Sequence, residues 1–146
     1  MNILVVDDRG STSFYLAEAL DRDGHRVLEA ANINDAKTHW DKRKTTPIDC
    51  IIVDLNMPSD GLTREQKGES HRALLTGWLW LRDCVLPDVP IGYRQRVIIC
   101  SEYVRDFREL VPAHEYLGIS LVDKHAPSGS AAKVLEHVHV ISLLAE

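Results

Sequence analysis

Five residues of this chain can do chemistry together if a fold gathers them: Asp7, Asp8, Asp54, Ser101 and Lys124. Each stands at the carboxyl end of a short apolar run. Ile3-Leu4-Val5-Val6 runs into Asp7-Asp8, and Cys50-Ile51-Ile52-Val53 delivers Asp54 before Leu55-Asn56-Met57-Pro58 turns the chain away. Val97-Ile98-Ile99-Cys100 ends in Ser101, and Ile119 to Val122 leads into Asp123-Lys124. Three carboxylates held close together repel one another unless a cation sits among them. Hard oxygen donors with open positions suit Mg²⁺, which keeps several waters and accepts a phosphate oxygen. Lys124 adds a mobile positive charge, and the Ser101 hydroxyl adds a donor for a phosphoryl oxygen. A carboxylate nucleophile, a divalent metal and a lysine describe phosphoryl transfer onto Asp54.

Short apolar runs bounded by polar residues read as strands buried on both faces, which is how parallel sheets are written. Between them lie helical patterns. Ser11, Thr12 and Ser13 offer N-caps for a helix running to about Asp23, with Leu16, Ala17 and Leu20 inward and Gly24 as its stop. Arg26 to Ala30 is a short second strand. Asn32 and Asp35 form a capping pair for a helix carrying Ile33, Ala36 and Trp40, closed by Lys42-Arg43-Lys44. A further helix is expected from His71 or Arg72, with Leu74, Leu75, Trp78, Leu81, Val85 and Leu86 on one face and Pro87 and Pro90 closing it. On that stripe Trp78 is core and Trp80 is exposed. Tyr103 to about Tyr116 reads as helical, kinked or ended early by Pro112. The last helix starts near Ser128 or Ser130 and buries Ala131, Val134, Leu135, Val138 and Ile141. Alternating strands and helices make a doubly wound α/β fold, and right-handed crossovers leave little other choice. In such a sheet, sites lie beyond the carboxyl ends of the strands, where the five residues gather.

The chain has 146 residues, enough for one domain with a proper core. A net charge of -5 speaks against a direct nucleic-acid surface, which carries a basic stripe. No apolar stretch is long enough to cross a bilayer, and a cytoplasmic setting without a membrane partner is expected. Cys50, Cys84 and Cys100 sit in apolar runs, form no CxxC pair, and read as small buried hydrophobes in a reducing compartment. Of the seven histidines, His137 and His139 lie two apart on a helix and face different ways, so they form no joint metal site.

The five residues, in order on the right elements, resemble the receiver domain of bacterial two-component response regulators. The resemblance covers nearly the whole chain. It implies a flavodoxin-like, five-stranded parallel sheet in the order 2-1-3-4-5, and a single receiver domain over residues 1–146. It implies Asp54 as the acceptor of a phosphoryl group from a histidine kinase or phosphotransfer protein. Asp7, Asp8, Asp54 and the backbone carbonyl of Asn56 would hold Mg²⁺, Lys124 would pair with the phosphoryl group, and Ser101 would be the switch hydroxyl. No enzymatic activity is expected beyond the domain's own phosphoryl transfer and dephosphorylation. The output would be a contact with a downstream effector protein or a C-terminal output domain, on a face of fourth helix, fifth strand and fifth helix that also suits a homodimer. The chain stops after the last helix, so it is expected to be a stand-alone regulator or a receiver cut from a longer protein.

Four features depart from the family. Leu121 occupies the position of the aromatic switch residue. Glu102 replaces the small residue after the switch hydroxyl, where it would shield the pocket and repel an anion. His125 replaces the proline after the lysine. If Gly77 opens the third helix of the family pattern, residues 59–76 contain an insertion of roughly fifteen residues. Leu121, Glu102 and the insertion favour an alternative: a receiver-fold binding module that works independently of phosphate. A phosphohydrolase of the haloacid-dehalogenase type is a third reading, but Asp54-Leu55-Asn56-Met57-Pro58 lacks the second aspartate and the threonine of its motif.

Overall fold

The computed structural model describes residues 1–125 and 129–144. Strands β1 (Asn2–Val6), β2 (Arg26–Ala30), β3 (Cys50–Val53), β4 (Val97–Ser101) and β5 (Ser120–Asp123) form one parallel sheet in the order β2-β1-β3-β4-β5. This is the order expected. Six α-helices are described: α1 (Gly10–Arg22), α2 (Ile33–Asp41), α3 (Arg64–Glu69), α4 (Thr76–Trp80), α5 (Val104–Leu110) and α6 (Ser130–Leu144).

Alternation along each strand divides the core into two layers. Ile3, Val5, Cys50, Ile52, Ile98, Cys100 and Val122 face α1 and α6, where Leu16, Leu20, Val134, Val138 and Ile141 complete a buried cluster. Leu4, Val6, Ile51, Val53, Val97 and Ile99 face the other helices, meeting Ile33, Trp40, Trp78, Leu79 and Phe107. Both faces being covered is why the strands read as unbroken apolar runs.

Local chemistry explains most helix ends. Asn32 Oδ1 accepts from the Asp35 backbone N–H at 2.8 Å, the capping pair expected for α2. Gly24 takes the left-handed conformation (φ 88°) just past the end of α1. The start of α1 differs from expectation. It opens at Gly10 with Arg9 at the N-cap, ahead of Ser11, Thr12 and Ser13. The cause is Asp7, whose Oδ1 accepts the Arg9 N–H at 2.8 Å and turns the chain early. Ser128, one of two starts considered for the last helix, lies outside the described residues; Ser130 begins α6. Pro112 ends α5 early, and a 3₁₀ turn follows over Ala113–Tyr116.

Residues 59–75 depart furthest from the sequence reading. The polar stretch contains α3, closed by a capping box: Thr63 Oγ1 accepts from Gln66 N at 3.1 Å, and Gln66 Oε1 accepts from Thr63 N at 2.8 Å. The helix expected from His71 or Arg72 begins only at Thr76. His71, Arg72 and Ala73 instead form a left-handed turn, with φ of 51°, 60° and 70°. Side chains in that region cost on the order of 1–2 kcal/mol per residue, so the turn needs outside support. Ser70, almost fully buried, supplies it: its Oγ donates to Lys67 O at 2.8 Å and accepts from Ala73 N at 3.1 Å. Trp80, expected at the surface, is completely buried in the same cluster as Leu62 and Leu75. Leu62 and Leu75, from the segment before α4, join both indoles in that cluster. Gln66 ties α3 to the segment after α4 by donating to Asp83 Oδ2 at 2.9 Å, and Arg82 bridges Asp83 and Glu69. Beyond α4 the helix widens to π geometry over Leu81–Val85 before a 3₁₀ turn carries Pro87.

Candidate functional site

Strand register brings the acids together. Val6 and Val53 are partners, so the next residues on their strands, Asp7 and Asp54, stand side by side. Asp54 N donates to Val6 O at 2.9 Å, and Asp7 N donates to Ala30 O at 3.0 Å. Both carboxylates therefore hang from backbone still tied into the sheet. On the other side, Ser101 is the partner of Asp123, and Lys124 N donates to Ser101 O at 3.0 Å. That bond aims Lys124 across β4 toward β1 and β3.

Lys124 Nζ donates to Asp7 Oδ2 and to Asp54 Oδ2, each at 2.9 Å. All three side chains are at least nine-tenths buried. Asp54 Oδ1 accepts from the Leu55 N–H at 2.7 Å, so both oxygens of this carboxylate are engaged. Burial alone would lower the Lys124 pKa; the charges of Asp54 and Asp7 and the hydrogen bonds to them outweigh it and raise the value. Asp8 lies at the exposed rim, and its pKa is raised by burial, then by the neighbouring charges of Asp7 and Asp54. Carboxylate oxygens of Asp7, Asp8 and Asp54 all lie within 4.8 Å of one another. Three acids crowd together and one lysine bonds two of them. That excess of negative charge from hard oxygen donors, partly open to water, fits Mg²⁺.

Gly77 fixes the third edge of the pocket. Its N–H donates to Leu55 O at 3.0 Å, and a Cβ on it would sit 1.9 Å from the Asp54 carbonyl oxygen. Only glycine lets α4 begin this close to the strand that carries Asp54. Asn56 is half-buried and follows that junction.

The residues on β4 and β5 are arranged differently. Ser101 is completely buried, and its Oγ accepts the Tyr103 N–H at 3.1 Å. Glu102 is half-exposed and forms an ion pair with Arg9, joining the loops after β1 and β4. Leu121 pairs with Ile99 and is half-buried against the cluster that contains α4 and α5. Aromatic rings on that side come from the helices: Trp78 and Phe107 lie 5.4 Å apart, and Phe107 and Tyr116 lie 4.8 Å apart. The peptide bond before His125 is trans. Sequence reasoning passed over Arg9. The one signal was its place directly after Asp7-Asp8, which does not say where a guanidinium will reach.

Comparisons with known proteins agree with this fold. The family model of the response regulator receiver domain matches residues 3–66. No curated protein matches the chain. Among solved structures, the receiver domain of the hybrid histidine kinase CckA is 21% identical, with 97% of this chain and 98% of that one covered at a TM-score of 0.57. The receiver domain of the Francisella response regulator 1452 is 17% identical, covering 99% and 98%, at a TM-score of 0.65. The response regulator TrrA from Thermotoga maritima, solved in complex with Mg²⁺ and BeF, is 19% identical, covering 96% and 97%, at 0.57. The likeness to the response regulator receiver domain is therefore borne out, by the family model over residues 3–66 and by the fold along almost the whole chain. Among the described residues no helix is long and apolar enough to cross a membrane.

Proposed function

We propose that this chain is a phosphoryl-accepting receiver in which Asp54 is the acceptor, Asp7 and Asp8 hold Mg²⁺, and Lys124 neutralises the transferred group. The observation that carries the reading is the shared lysine, bonded at 2.9 Å to both Asp7 and Asp54 at the carboxyl edge of the sheet. In the transfer, an Asp54 carboxylate oxygen bonds to phosphorus while the bond from phosphorus to the donor breaks. The donor leaves with that electron pair, as a carboxylate from an acyl phosphate or as an imidazole from phosphohistidine. Mg²⁺, when bound, neutralises the oxygens of the group in transit. The Leu55 N–H holds Asp54 Oδ1, which orients the carboxylate. Lys124 turns from Asp54 to the phosphoryl oxygens, since a doubly charged group attracts it more strongly than a carboxylate.

Asn56 contributes its carbonyl to the metal, and Ser101 exchanges the Tyr103 N–H for a phosphoryl oxygen. Donors are a histidine kinase or phosphotransfer protein, and the output is a contact with an effector protein or a linked domain. Residues 59–76 are an insertion within a single receiver. Mg²⁺, acetyl phosphate and intact-mass measurement test the reading: one phosphoryl adduct is expected, absent in Asp54→Ala and without Mg²⁺. A wild-type protein that neither acquires the adduct nor binds beryllofluoride is instead a phosphate-independent binding module. Leu121 and Glu102, at positions that couple the pocket to the surface, are the features that favour that second reading.

A further inference from the structure

Arg9 and Glu102 reach across the mouth of the pocket from opposite sides. Arg9 follows the Asp7-Asp8 loop and Glu102 follows Ser101, so their ion pair links these two rims through side chains. The pair is near enough to the charged cluster to feel its charges. The Arg9 guanidinium is held charged first by its bond to Glu102, and it also feels Asp54 and Asp7; Glu102 is held ionised by Arg9 and also feels His125 and Lys124. Three carboxylates, Asp7, Asp8 and Asp54, already outnumber Lys124, and Arg9 is a second cation that feels them. An incoming phosphodonor is an anion, and it would meet that field at the entrance. Their side chains are 43% and 28% exposed, so water screens the pair and it opens readily. A guanidinium fork matches phosphoryl oxygens in two-point geometry, which a carboxylate partner can be exchanged for.

We propose that Arg9 is the anion-binding arm of this pocket and Glu102 its resting counter-ion, forming an ionic latch that a phosphodonor opens by replacing Glu102 on Arg9. This rests on Asp54 being the acceptor. Glu102 then governs which donors gain entry: a small acyl phosphate must compete for Arg9 unaided, whereas a protein donor can bring a cation of its own for Glu102. Nothing new is made or broken beyond the transfer to Asp54 described above; the latch exchanges one ion pair for another.

The test compares four folded proteins with Mg²⁺: wild type, Glu102→Gln, Arg9→Gln and the double variant. Each is followed by intact mass for phosphoryl uptake from acetyl phosphate and by calorimetry for beryllofluoride affinity. Glu102→Gln is expected to take up the group about fivefold faster and bind beryllofluoride about fivefold tighter, the scale of one surface ion pair. Arg9→Gln should be about fivefold slower and weaker, and the double variant should match Arg9→Gln, because Glu102 acts only through Arg9. Equal rates in all four proteins would overturn the latch. So would an acceleration by Glu102→Gln that persists in the Arg9→Gln background, since Glu102 would then act as a simple repelling charge. A wild type with neither adduct nor beryllofluoride binding would instead sink the assignment of Asp54, a distinct failure.

Discussion

The pocket has two halves that the chain builds by different means. Asp7 and Asp8 follow β1 and Asp54 follows β3, neighbours in the middle of the sheet, and Asp7 and Asp54 hang from backbone groups bonded into the ladder. Ser101, Glu102, Leu121 and Lys124 belong to β4 and β5, with β5 at the sheet edge. All four family departures but the insertion fall on this second half, at Glu102, Leu121 and His125. The family model stops at residue 66 and so covers the first half alone. The difference is that the acids and Lys124 form a tight ionic cluster at the strand ends, while the side chains around β4 and β5 shape its surroundings. An acidic triad tolerates little change, because each carboxylate is placed by strand register. The Glu102 and Leu121 side chains meet Arg9 and the α4–α5 cluster, contacts that can be rewritten without changing the strand register.

The largest expected effect comes from breaking the first half at its backbone. Gly77→Ala drives a Cβ to within 1.9 Å of the Asp54 carbonyl oxygen, and the helix start must retreat. A loss of roughly 3 kcal/mol in urea unfolding is expected, with loss of phosphoryl uptake because the Asp54 strand end moves. Unchanged stability would mean that α4 does not constrain the acceptor.

Lys124→Met separates the halves by removing the cation that joins them. Two nearly buried carboxylates, Asp7 and Asp54, lose their partner, and roughly 2 kcal/mol of stability should go in the absence of Mg²⁺. The wild-type pH profile carries the same information. Because the Lys124 pKa is raised in the folded protein, its contribution is fully present below the ordinary lysine value and is lost as pH rises through the higher folded value. Alkaline unfolding curves should show that loss in wild type and not in Lys124→Met.

Asp8→Asn makes the smallest and most diagnostic change. The raised Asp8 pKa means that its ionised form opposes folding: the favourable state is the protonated one, present below the ordinary aspartate value and lost as pH rises through the folded value. At neutral pH the amide should therefore stabilise the metal-free protein, by about 0.5 kcal/mol after allowing for solvent screening at this exposed rim. The same variant should lose most of the thermal stabilisation that Mg²⁺ gives wild type. A destabilised Asp8→Asn protein would show that the acids are not in conflict.

Much of the fold was legible because it is written locally. The strands are apolar runs, the caps at Asn32 and Gly24 are single residues, and the order of acids, hydroxyl and lysine along the chain follows the order of strands. The Thr63–Gln66 capping box went unread, because its polar surroundings hid it within a stretch without periodicity. Trp80 was misread for a physical reason. A helical stripe predicts one buried face, and it fails where further chain, here Leu62 and Leu75 from the segment before α4, joins both indoles in one cluster.

What the sequence determined by itself is the set of strand ends and the residues they carry, since period and polarity change at each of them within one or two positions. Only the tertiary structure decided the pairings across the pocket: Lys124 with Asp7 and Asp54, Arg9 with Glu102, and the backbone of Gly77 with Leu55. Those contacts join segments 22 to 117 residues apart in mixed directions, and no local pattern encodes which long side chain meets which. They are settled by sheet order and register, which place distant strand ends within a few ångströms and leave charge to choose the partners.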